Sequence, residues 1–364
     1  METFNRKKGV QVSVIIVNYN TAALLDECIE SVIQKTEGVS YEIIVVDNRS
    51  EAGSLDSLVG KYQDVHFLFS GENLGFGKAN NWGGKESNGK YLFFLNPDTL
   101  LVNNAIAILY EYMRQHPEAG ICGGNLYSEN MKPASSYYDT DMLAYEYKIL
   151  LNRERKPGFN KTGQPKDVNV IVGADLFISK QLFDEQNGFD PDFFMYFEEV
   201  ELCNRIQNKG YKIVSVPQAK IIHKQGGSAE NKNDELKKWS YEEHWYSKLV
   251  YFSKTKGELQ IPMLYCASFL KLLAGKLFAR LKKNKTKQEY WEYKAGVMKE
   301  AYKRYKTYLA NSCCNKTTVF YRQYFLHFSL TSLQKREVFY FTYYQPFTQS
   351  LCVFPSPIWR GAGG

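Results

Sequence analysis

The sequence predicts an α/β fold: a mostly parallel sheet with helices on both faces, followed by a helical C-terminal region. Short apolar runs alternate four times with helical patterns over the first 115 residues, which is typical of parallel strands buried on both faces. At 364 residues, of which 44% are apolar, the chain is also long enough for one large α/β domain with an appendage, or for two domains.

The elements of this first part can be assigned in order. Apolar runs predict strands at residues 12–17, 41–48, 65–70 and 91–95. Helices are predicted at residues 21–36, at 55–62, after the Gly-rich segment GENLGFGKANN, and at 104–115. In the first helix the apolar residues recur at helical spacing, and Thr21 can cap its start.

Polar residues follow three of these strands. The strand ends read Asn18-Tyr19-Asn20, Asp47-Asn48-Arg49 and Asn96-Pro97-Asp98. Because ligands of parallel sheets bind at the carboxyl ends of the strands, these side chains are predicted to lie at a ligand site. Asp98 could bind Mg²⁺ or Mn²⁺, which prefer oxygen ligands, or it could simply form a turn. The four residues 96–99 alone favour the turn.

The middle of the chain is less regular. Residues 128–167 are polar and contain several Pro and Gly residues, so we expect a mobile loop that covers a site. Order is predicted to return at residues 168–179. A helix at residues 198–209, ended by Gly210, and a strand at residues 211–216 are predicted next.

Three carboxylates, Glu198, Glu199 and Glu201, lie at the predicted start of that helix, directly after the aromatic run FFMYF. Acids there can simply stabilise the helix through its dipole. Apolar surroundings and like-charged neighbours also raise carboxylate pKa values, which suits a general base. His223 ends a strand-like run and is either a metal or phosphate ligand or a surface histidine. Its position alone favours the surface.

Composition changes twice toward the C-terminus. Residues 236–310 are helical in pattern and rich in Lys, Arg, Tyr and Trp. Residues 311–364 are packed with aromatics, contain Glu337 as their one acid and lack periodicity. We therefore predict three parts: residues 1–235, a basic helical appendage at 236–310, and an atypical tail at 311–364 that is disordered or dispensable.

The first 20 residues do not have a signal-peptide pattern, and the seven cysteines show no metal-ligand spacing, which favours a reducing cytoplasm. We expect no nucleic-acid partner.

Residues 261–281 place apolar side chains among basic ones, and a cluster of lysines follows. This pattern predicts either a helix on an anionic membrane surface or a helix that packs on the catalytic domain or a second subunit. The membrane interpretation would make the protein peripheral on the inner face of the cytoplasmic membrane. The relevant residues are Leu264, Phe269, Leu272, Leu273, Leu277 and Phe278, with Lys271, Lys276, Arg280, Lys282, Lys283, Lys285 and Lys287.

Six segments together resemble the inverting family-2 glycosyltransferases with a GT-A fold, and among them the bacterial rhamnosyltransferase-like enzymes. In chain order they are VSVIIVNYN, IIVVDNRS, NLGFGKANN, FLNPD, GFDPDFFMYFEEVELCNRIQNKGYKI and IIHKQGGS. The resemblance covers about residues 10–230 and implies that residues 1–235 are a GT-A nucleotide-sugar-binding catalytic domain. The chain departs from the family at Glu199 and Glu201, where Asp is usual, and at Lys78, where a small residue is common.

The resemblance implies a nucleotide-diphosphate sugar as the donor and a saccharide or lipid-linked hydroxyl as the acceptor, in bacterial surface polysaccharide synthesis. Asp98, with His223, would hold Mg²⁺ or Mn²⁺ on the diphosphate, and Glu199 would deprotonate the acceptor so that the product is inverted. The donor side would comprise Asn18, Tyr19, Asn20, Asp47, Asn48, Gly75, Lys78, Asn80 and Asn96. The acceptor side would comprise Asp175, Tyr196, Glu198 and Glu201.

Two other functions stay open. A sugar nucleotidyltransferase would share the sheet and the metal, but it normally carries a Gly-rich, Arg- or Lys-containing signature after its first strand, where this chain reads NYNTAALL. The second is a nucleotide-sugar-binding protein without catalysis. Glu199 keeps this alternative open, because its extra methylene, relative to the usual Asp, moves the carboxylate by roughly 1 Å, and a misplacement of that size can cost about 10²-fold in rate.

Overall fold

The structure is a computed structural model that describes residues 9–139, 141–151, 158–224, 234–257 and 260–331. The chain divides into two compact units, residues 1–308 and 309–364. The second unit is described only over 309–331, where it is helical. The proposed division at residues 235 and 310 stays a prediction.

The described strands and helices have the following bounds. The strands are β1 Val12–Asn18, β2 Tyr41–Asp47, β3 Val65–Phe69, β4 Tyr91–Leu95, β5 Thr99–Leu101, β6 Ala119–Tyr127, β7 Tyr137–Tyr138, β8 Lys166–Val168, β9 Val170–Ile171, β10 Asp175–Ser179 and β11 Lys212–His223. The helices are α1 Ala22–Lys35, α2 Asp56–Lys61, α3 Phe76–Glu86, α4 Ala105–Gln115, α5 Met142–Leu150, α6 Lys180–Glu185, α7 Glu198–Asn208, α8 Asp234–Thr255, α9 Gln260–Leu281 and α10 Lys285–Thr331.

The central sheet has nine strands in the order β3-β2-β1-β4-β10-β6-β11-β5, with β8 also paired to β11. The first four of these strands run parallel, as do β6 and β11. β10 is antiparallel to both of its neighbours, and β5 and β8 are antiparallel to β11. The predicted α/β class, with a mostly parallel sheet and C-terminal helices, is confirmed.

Apolar strand residues alternate between two cores because successive side chains point to opposite faces of a sheet. Val12, Val14 and Ile16 pack with one face of α1 and of α4. Val17, Ile44 and Val46 pack on the other face, against Ala79 and Trp82 of α3. This two-sided burial explains why the strands are continuous apolar runs.

The segment expected to be a mobile loop, residues 128–167, contains regular structure. Its described part includes β7, α5 and the start of β8. α5 is tied to α8 by a buried ion pair, Lys248 Nζ to Glu146 Oε1 at 2.9 Å. Lys256, directly after α8, also lies 2.7 Å from Asp141, directly before α5. The expectation of an irregular segment is therefore wrong for residues 142–150. The sequence pattern did not predict α5, because a residue that holds this helix, Lys248, lies about 100 residues further along the chain, in the predicted appendage.

Candidate active site

Asp98 and His223 lie together at the end of the sheet. β4 ends at Leu95, and the chain passes through Asn96, Pro97 and Asp98 into the short strand β5. β5 pairs with β11 so that Thr99 lies opposite His223. This pairing places Asp98 Oδ1 3.2 Å from His223 Nε2, with each side chain 13% exposed. The two predicted metal ligands are thus neighbours. His223 is mostly buried, which favours the ligand alternative over the surface one, and its metal role stays a prediction.

The surroundings of this pair fit a divalent cation. Two buried polar atoms, Oδ1 of Asn96 and Nδ1 of His223, have no hydrogen-bond partner. Carboxylate oxygen and imidazole nitrogen both suit Mn²⁺, and oxygen suits Mg²⁺. Among the described residues no group of three or more His, Cys, Asp or Glu side chains could surround an ion. The pair therefore fits an ion that takes its other ligands from a bound diphosphate and from water.

Asp47 is held in one orientation at the end of β2. Its Oδ1 accepts hydrogen bonds from Asn18 Nδ2 at 3.0 Å and from Ser50 Oγ at 2.5 Å, and its Oδ2 accepts one from Ser50 N at 3.0 Å. Asn18 Oδ1 accepts in turn from Thr21 Oγ1. A carboxylate oxygen can accept two bonds, so Oδ2 keeps one lone pair for a ligand. Sequence reasoning did not identify Ser50, the second donor.

Two residues at these strand ends adopt left-handed backbone conformations. Asn20 has φ 55° and Arg49 has φ 68°, a region that few residues other than glycine occupy and that is common at ligand sites. Asn20 N donates to Ser50 Oγ at 2.8 Å, and Asn20 Oδ1 accepts from Glu51 N at 2.8 Å, which locks the two turns together. Tyr19, directly before Asn20, is 50% exposed.

Several predicted donor-binding residues hold the Gly-rich loop. Asn48 Nδ2 donates to Gly75 O at 3.2 Å and Asn48 Oδ1 accepts from Leu74 N at 2.7 Å, which joins the loop to the end of β2. Asn80 is buried and donates to Phe76 O within α3. Lys78 is exposed on the first turn of α3. Its charge helps to lower the pKa of Asp192, after the larger effects of Lys254 and Tyr308.

Gly75 permits a close contact between the Gly-rich loop and the segment before α7. Its φ is +79°, and a Cβ added there would lie 2.3 Å from the carbonyl oxygen of Phe194. Phe76 N donates to that same oxygen at 2.8 Å. The glycine is thus required by the approach of two backbones, a reason that does not involve a phosphate.

Glu199 lies on the first turn of α7, after two strained residues, Tyr196 and Phe197, that both have φ 69°. Burial raises the pKa of Glu199 to about 7, against the opposing effect of hydrogen bonds from its own backbone N–H and that of Val200. Its side chain remains partly exposed. A carboxylate with a pKa near neutrality is suited to accept a proton.

The two neighbouring acids differ from Glu199. Glu198 is buried, its Oε2 has no hydrogen-bond partner, and burial, then the charges of Glu199 and Glu243, raise its pKa well above the ordinary value. Burial thus disfavours the charged form of Glu198. Glu201 accepts from Arg205 Nε at 2.7 and 2.8 Å, and Arg205 also donates to two carbonyl groups of the preceding loop. Glu201 is therefore engaged within the protein, and its acceptor-side role stays a prediction.

Asp175 begins β10, opposite Leu95 at the end of β4. Because β10 runs antiparallel to β4, its first residue reaches the edge where β4 ends. The side chain is fully buried, its Oδ2 accepts from Gly124 N at 2.6 Å, and burial raises its pKa well above the usual range. Its Oδ1 has no partner.

Helix α8 holds the loop that precedes Glu199. Tyr196 Oη and Ser240 Oγ are 2.5 Å apart, Ser247 Oγ donates to the carbonyl oxygen of Met195 at 2.8 Å, and Lys254 Nζ lies 2.5 Å from Asp190 Oδ2. Sequence reasoning did not assign Ser240, Ser247 or Lys254 to the site. Their contacts cross between distant parts of the chain and leave no local pattern.

Comparison with known proteins identifies a related family. Residues 13–174 match the family model described as Glycosyl transferase family 2. The match includes Asp47 and Asp98 and ends before Asp175, Glu199 and His223.

Three curated relatives are similar to this chain over most of their length. The low-salt glycan biosynthesis hexosyltransferase of Haloferax volcanii is 28% identical over 59% of this chain and 67% of its own. The N-acetylglucosaminyl-diphospho-decaprenol L-rhamnosyltransferase of Mycobacterium tuberculosis is 25% identical over 58% of this chain and 75% of its own. The rhamnosyltransferase WbbL of Escherichia coli is 26% identical over 58% of this chain and 83% of its own.

Among solved structures, the chain is similar to the mannosyltransferase PcManGT from Pyrobaculum calidifontis in complex with GDP-Man and Mn²⁺. The identity is 14% and the TM-score is 0.49, over 81% of this chain and 86% of that chain.

Proposed function

We propose that this chain, whose residues 13–174 match the model of Glycosyl transferase family 2, transfers a sugar, with inversion, from a nucleotide-diphosphate sugar to a hydroxyl of a saccharide or lipid-linked acceptor. The observation that supports this proposal most directly is the Asp98–His223 pair, 3.2 Å apart at the end of β4. This pair would form a partly buried cation site beside the carboxyl ends of the parallel strands, where ligands of α/β sheets bind.

On the donor side, Asp98 and His223 would hold Mg²⁺ or Mn²⁺. Such an ion, when bound, neutralises charge on the departing diphosphate. Asp47 presents the free lone pair of Oδ2 to the base or ribose, and Tyr19 offers an exposed ring for stacking. Lys78 supplies a positive charge at the start of α3, where the helix dipole also favours an anion.

On the acceptor side, Glu199 is the general base. Its carboxylate accepts the proton of the acceptor hydroxyl while the hydroxyl oxygen forms a bond to the anomeric carbon. The bond from that carbon to the diphosphate oxygen breaks on the opposite face, so the configuration inverts. A pKa of about 7 keeps a useful fraction of Glu199 ionised at neutral pH and makes it basic enough to take the proton.

The names of the relatives indicate which class of sugar is transferred and which class of acceptor receives it. Two of the three relatives above are named as rhamnosyltransferases and one as a hexosyltransferase. The name of the mycobacterial relative specifies a lipid-linked diphosphate sugar as acceptor. We therefore propose a rhamnosyl or hexosyl donor and a function in surface polysaccharide synthesis.

A panel of nucleotide sugars tests the proposal. Donor binding is measured by isothermal titration and release of nucleoside diphosphate by a coupled assay, each with native protein and with Asp98→Ala. We expect binding and slow hydrolysis of at least one donor, and neither in Asp98→Ala. Binding without turnover on any acceptor would favour a non-catalytic binding protein. Release of pyrophosphate from a nucleoside triphosphate and a sugar phosphate would favour a nucleotidyltransferase.

A further inference from the structure

Helix α9 is apolar on two opposite sides. Ile261, Leu264, Leu272 and Ala279 are buried against the rest of the protein. The opposite side carries six large apolar side chains that are between 44% and 73% exposed: Met263, Leu270, Leu273, Leu277, Phe278 and Leu281. Their spacing puts them on one side of the helix. We call this set the exposed α9 face.

The exposed face differs from the set that the sequence suggested. Leu264 and Leu272 were assigned to a membrane-facing surface, but the structure buries both. One side of the helix packs on the protein, as the packing alternative predicted, and the other side is apolar and faces solvent; contact of that side with a membrane stays a prediction. An apolar surface of this kind is unusual in a soluble monomer and marks an interaction site.

Positive charge surrounds this face. Residues 260–288 contain seven Lys and Arg residues and no Asp or Glu, which equals the net charge of +7 of the whole chain. The rest of the chain is therefore electrically balanced. Four of the seven, Lys282, Lys283, Lys285 and Lys287, are exposed around the turn between α9 and α10.

A cavity lies at the end of the exposed face. It has a volume of about 270 Å³ and is lined by Phe278, Lys282, Lys287 and Trp291, among others. Lys282 Nζ lies 4.5 Å from the centroid of the Phe278 ring. Apolar and cationic groups thus meet at one point, as an amphipathic ligand with a phosphate requires.

We propose that the exposed α9 face and the lysines at its end attach the protein to an anionic phospholipid surface. The apolar side chains enter the region between headgroups and acyl chains, and the lysines bind headgroup phosphates. The orientation is interfacial: α9 is long and apolar enough to cross a membrane by length and composition, but its other side is packed against the protein.

Charge argues against a second copy of the chain as the occupant. A symmetric dimer joins the same patch of both subunits, and here it would join two copies of a segment, residues 260–288, that carries seven basic residues and no acid to complement them. Like charges at an interface are unfavourable. An anionic lipid surface instead complements both the apolar face and the cations beside it.

Co-sedimentation of the full chain with vesicles tests this proposal without reference to activity. Vesicles of phosphatidylcholine alone are compared with an equimolar mixture of phosphatidylcholine and phosphatidylglycerol. We expect binding to the mixture, little binding to phosphatidylcholine, and release in 1 M salt, where the Debye length is only about 3 Å. Equal sedimentation with both vesicles, or with neither, would overturn the proposal, as would resistance to extraction by salt and alkaline carbonate.

Two sets of variants separate charge from apolar contact. Replacing Lys282, Lys283, Lys285 and Lys287 by Gln should weaken binding at least tenfold, since each cation near an anionic surface contributes about fivefold. The matched control replaces four other exposed lysines by Gln and should bind normally: Lys35, Lys85, Lys90 and Lys209.

Leu270→Ser with Leu277→Ser should also weaken binding at least tenfold, whereas Ile33→Ser with Val59→Ser, at exposed helix positions elsewhere, should not. The leucine variant should keep the melting temperature and the mass in solution of the native protein. A large fall in melting temperature would mean that another segment covers the face. A change from dimer to monomer would mean that a second copy covers it. Either result would overturn the proposal.

Discussion

Glu199→Gln removes the proposed base while keeping nearly the same volume. We expect a loss of transfer of about 10²- to 10⁴-fold, the usual contribution of a general base, with donor binding unchanged. The pKa of about 7 fixes the pH dependence of the native enzyme. About one tenth of Glu199 is ionised at pH 6 and about nine tenths at pH 8. The rate should therefore rise with pH, with a midpoint near 7, and level off above pH 8.

The same raised pKa predicts a change in stability. The folded protein keeps a proton on Glu199 at pH values where the unfolded chain, with an ordinary carboxyl pKa, has lost it. The contribution of Glu199 to stability is therefore fully present below about pH 4.5 and is lost as the pH rises from about 4.5 through 7. At pH 8 the native protein holds an ionised group in a poorly solvated place. At pH 8 the free energy of unfolding of Glu199→Gln should therefore exceed that of the native protein by about 1–3 kcal/mol. Such a gain is common when a residue that serves an active site is replaced.

The assay is the initial rate of product formation between about pH 5.5 and pH 9, beside urea unfolding at about pH 5 and pH 8. Two neighbouring variants serve as controls. Glu198→Gln should keep most activity, because burial raises the pKa of Glu198 well above its ordinary value and disfavours the charge that the substitution removes. Glu201→Gln should lower the free energy of unfolding by about 1–3 kcal/mol by leaving Arg205 without its carboxylate, yet retain chemistry. If either control is the inactive variant while Glu199→Gln turns over, the base is misassigned. A flat pH profile would refute the pKa argument.

Asp98→Ala is expected to abolish transfer while circular dichroism shows a native fold; normal turnover in this variant, or turnover of native protein in excess chelator, would contradict the metal role. Gly75→Ala is expected to lower the free energy of unfolding by about 1–3 kcal/mol in urea titrations, because Gly75 has φ +79° and an added Cβ would lie 2.3 Å from the carbonyl oxygen of Phe194. Gly71→Ala, where an added Cβ meets nothing within 4 Å, is its control, and equal loss in both would count against the contact. A chain that lacks residues 311–364 is expected to fold and to transfer sugar; its failure to express beside a well-expressed full-length chain would show that the tail is needed.

The family motifs and the strand ends were readable because they are local. A strand end such as Asp47-Asn48 or Asn96-Pro97-Asp98 is a run of adjacent residues, and the parallel sheet then aligns those ends at one edge. The roles within each motif were less readable. Asn48 and Gly75 were predicted to bind the donor. The structure shows that Asn48 hydrogen-bonds the backbone of the Gly-rich loop and that Gly75 permits the close approach of two backbone segments.

The alternation of apolar strands and amphipathic helices determined the α/β class, since each pattern depends on neighbours within a few residues. What only the tertiary structure decided is which distant groups meet. The short strand β5 brings Asp98 to His223, and α8 holds the loop before Glu199 through Ser240 and Ser247. The side of α9 that stays exposed depends on which side the rest of the protein covers. Each of these contacts joins residues far apart in the chain, where periodicity carries no information.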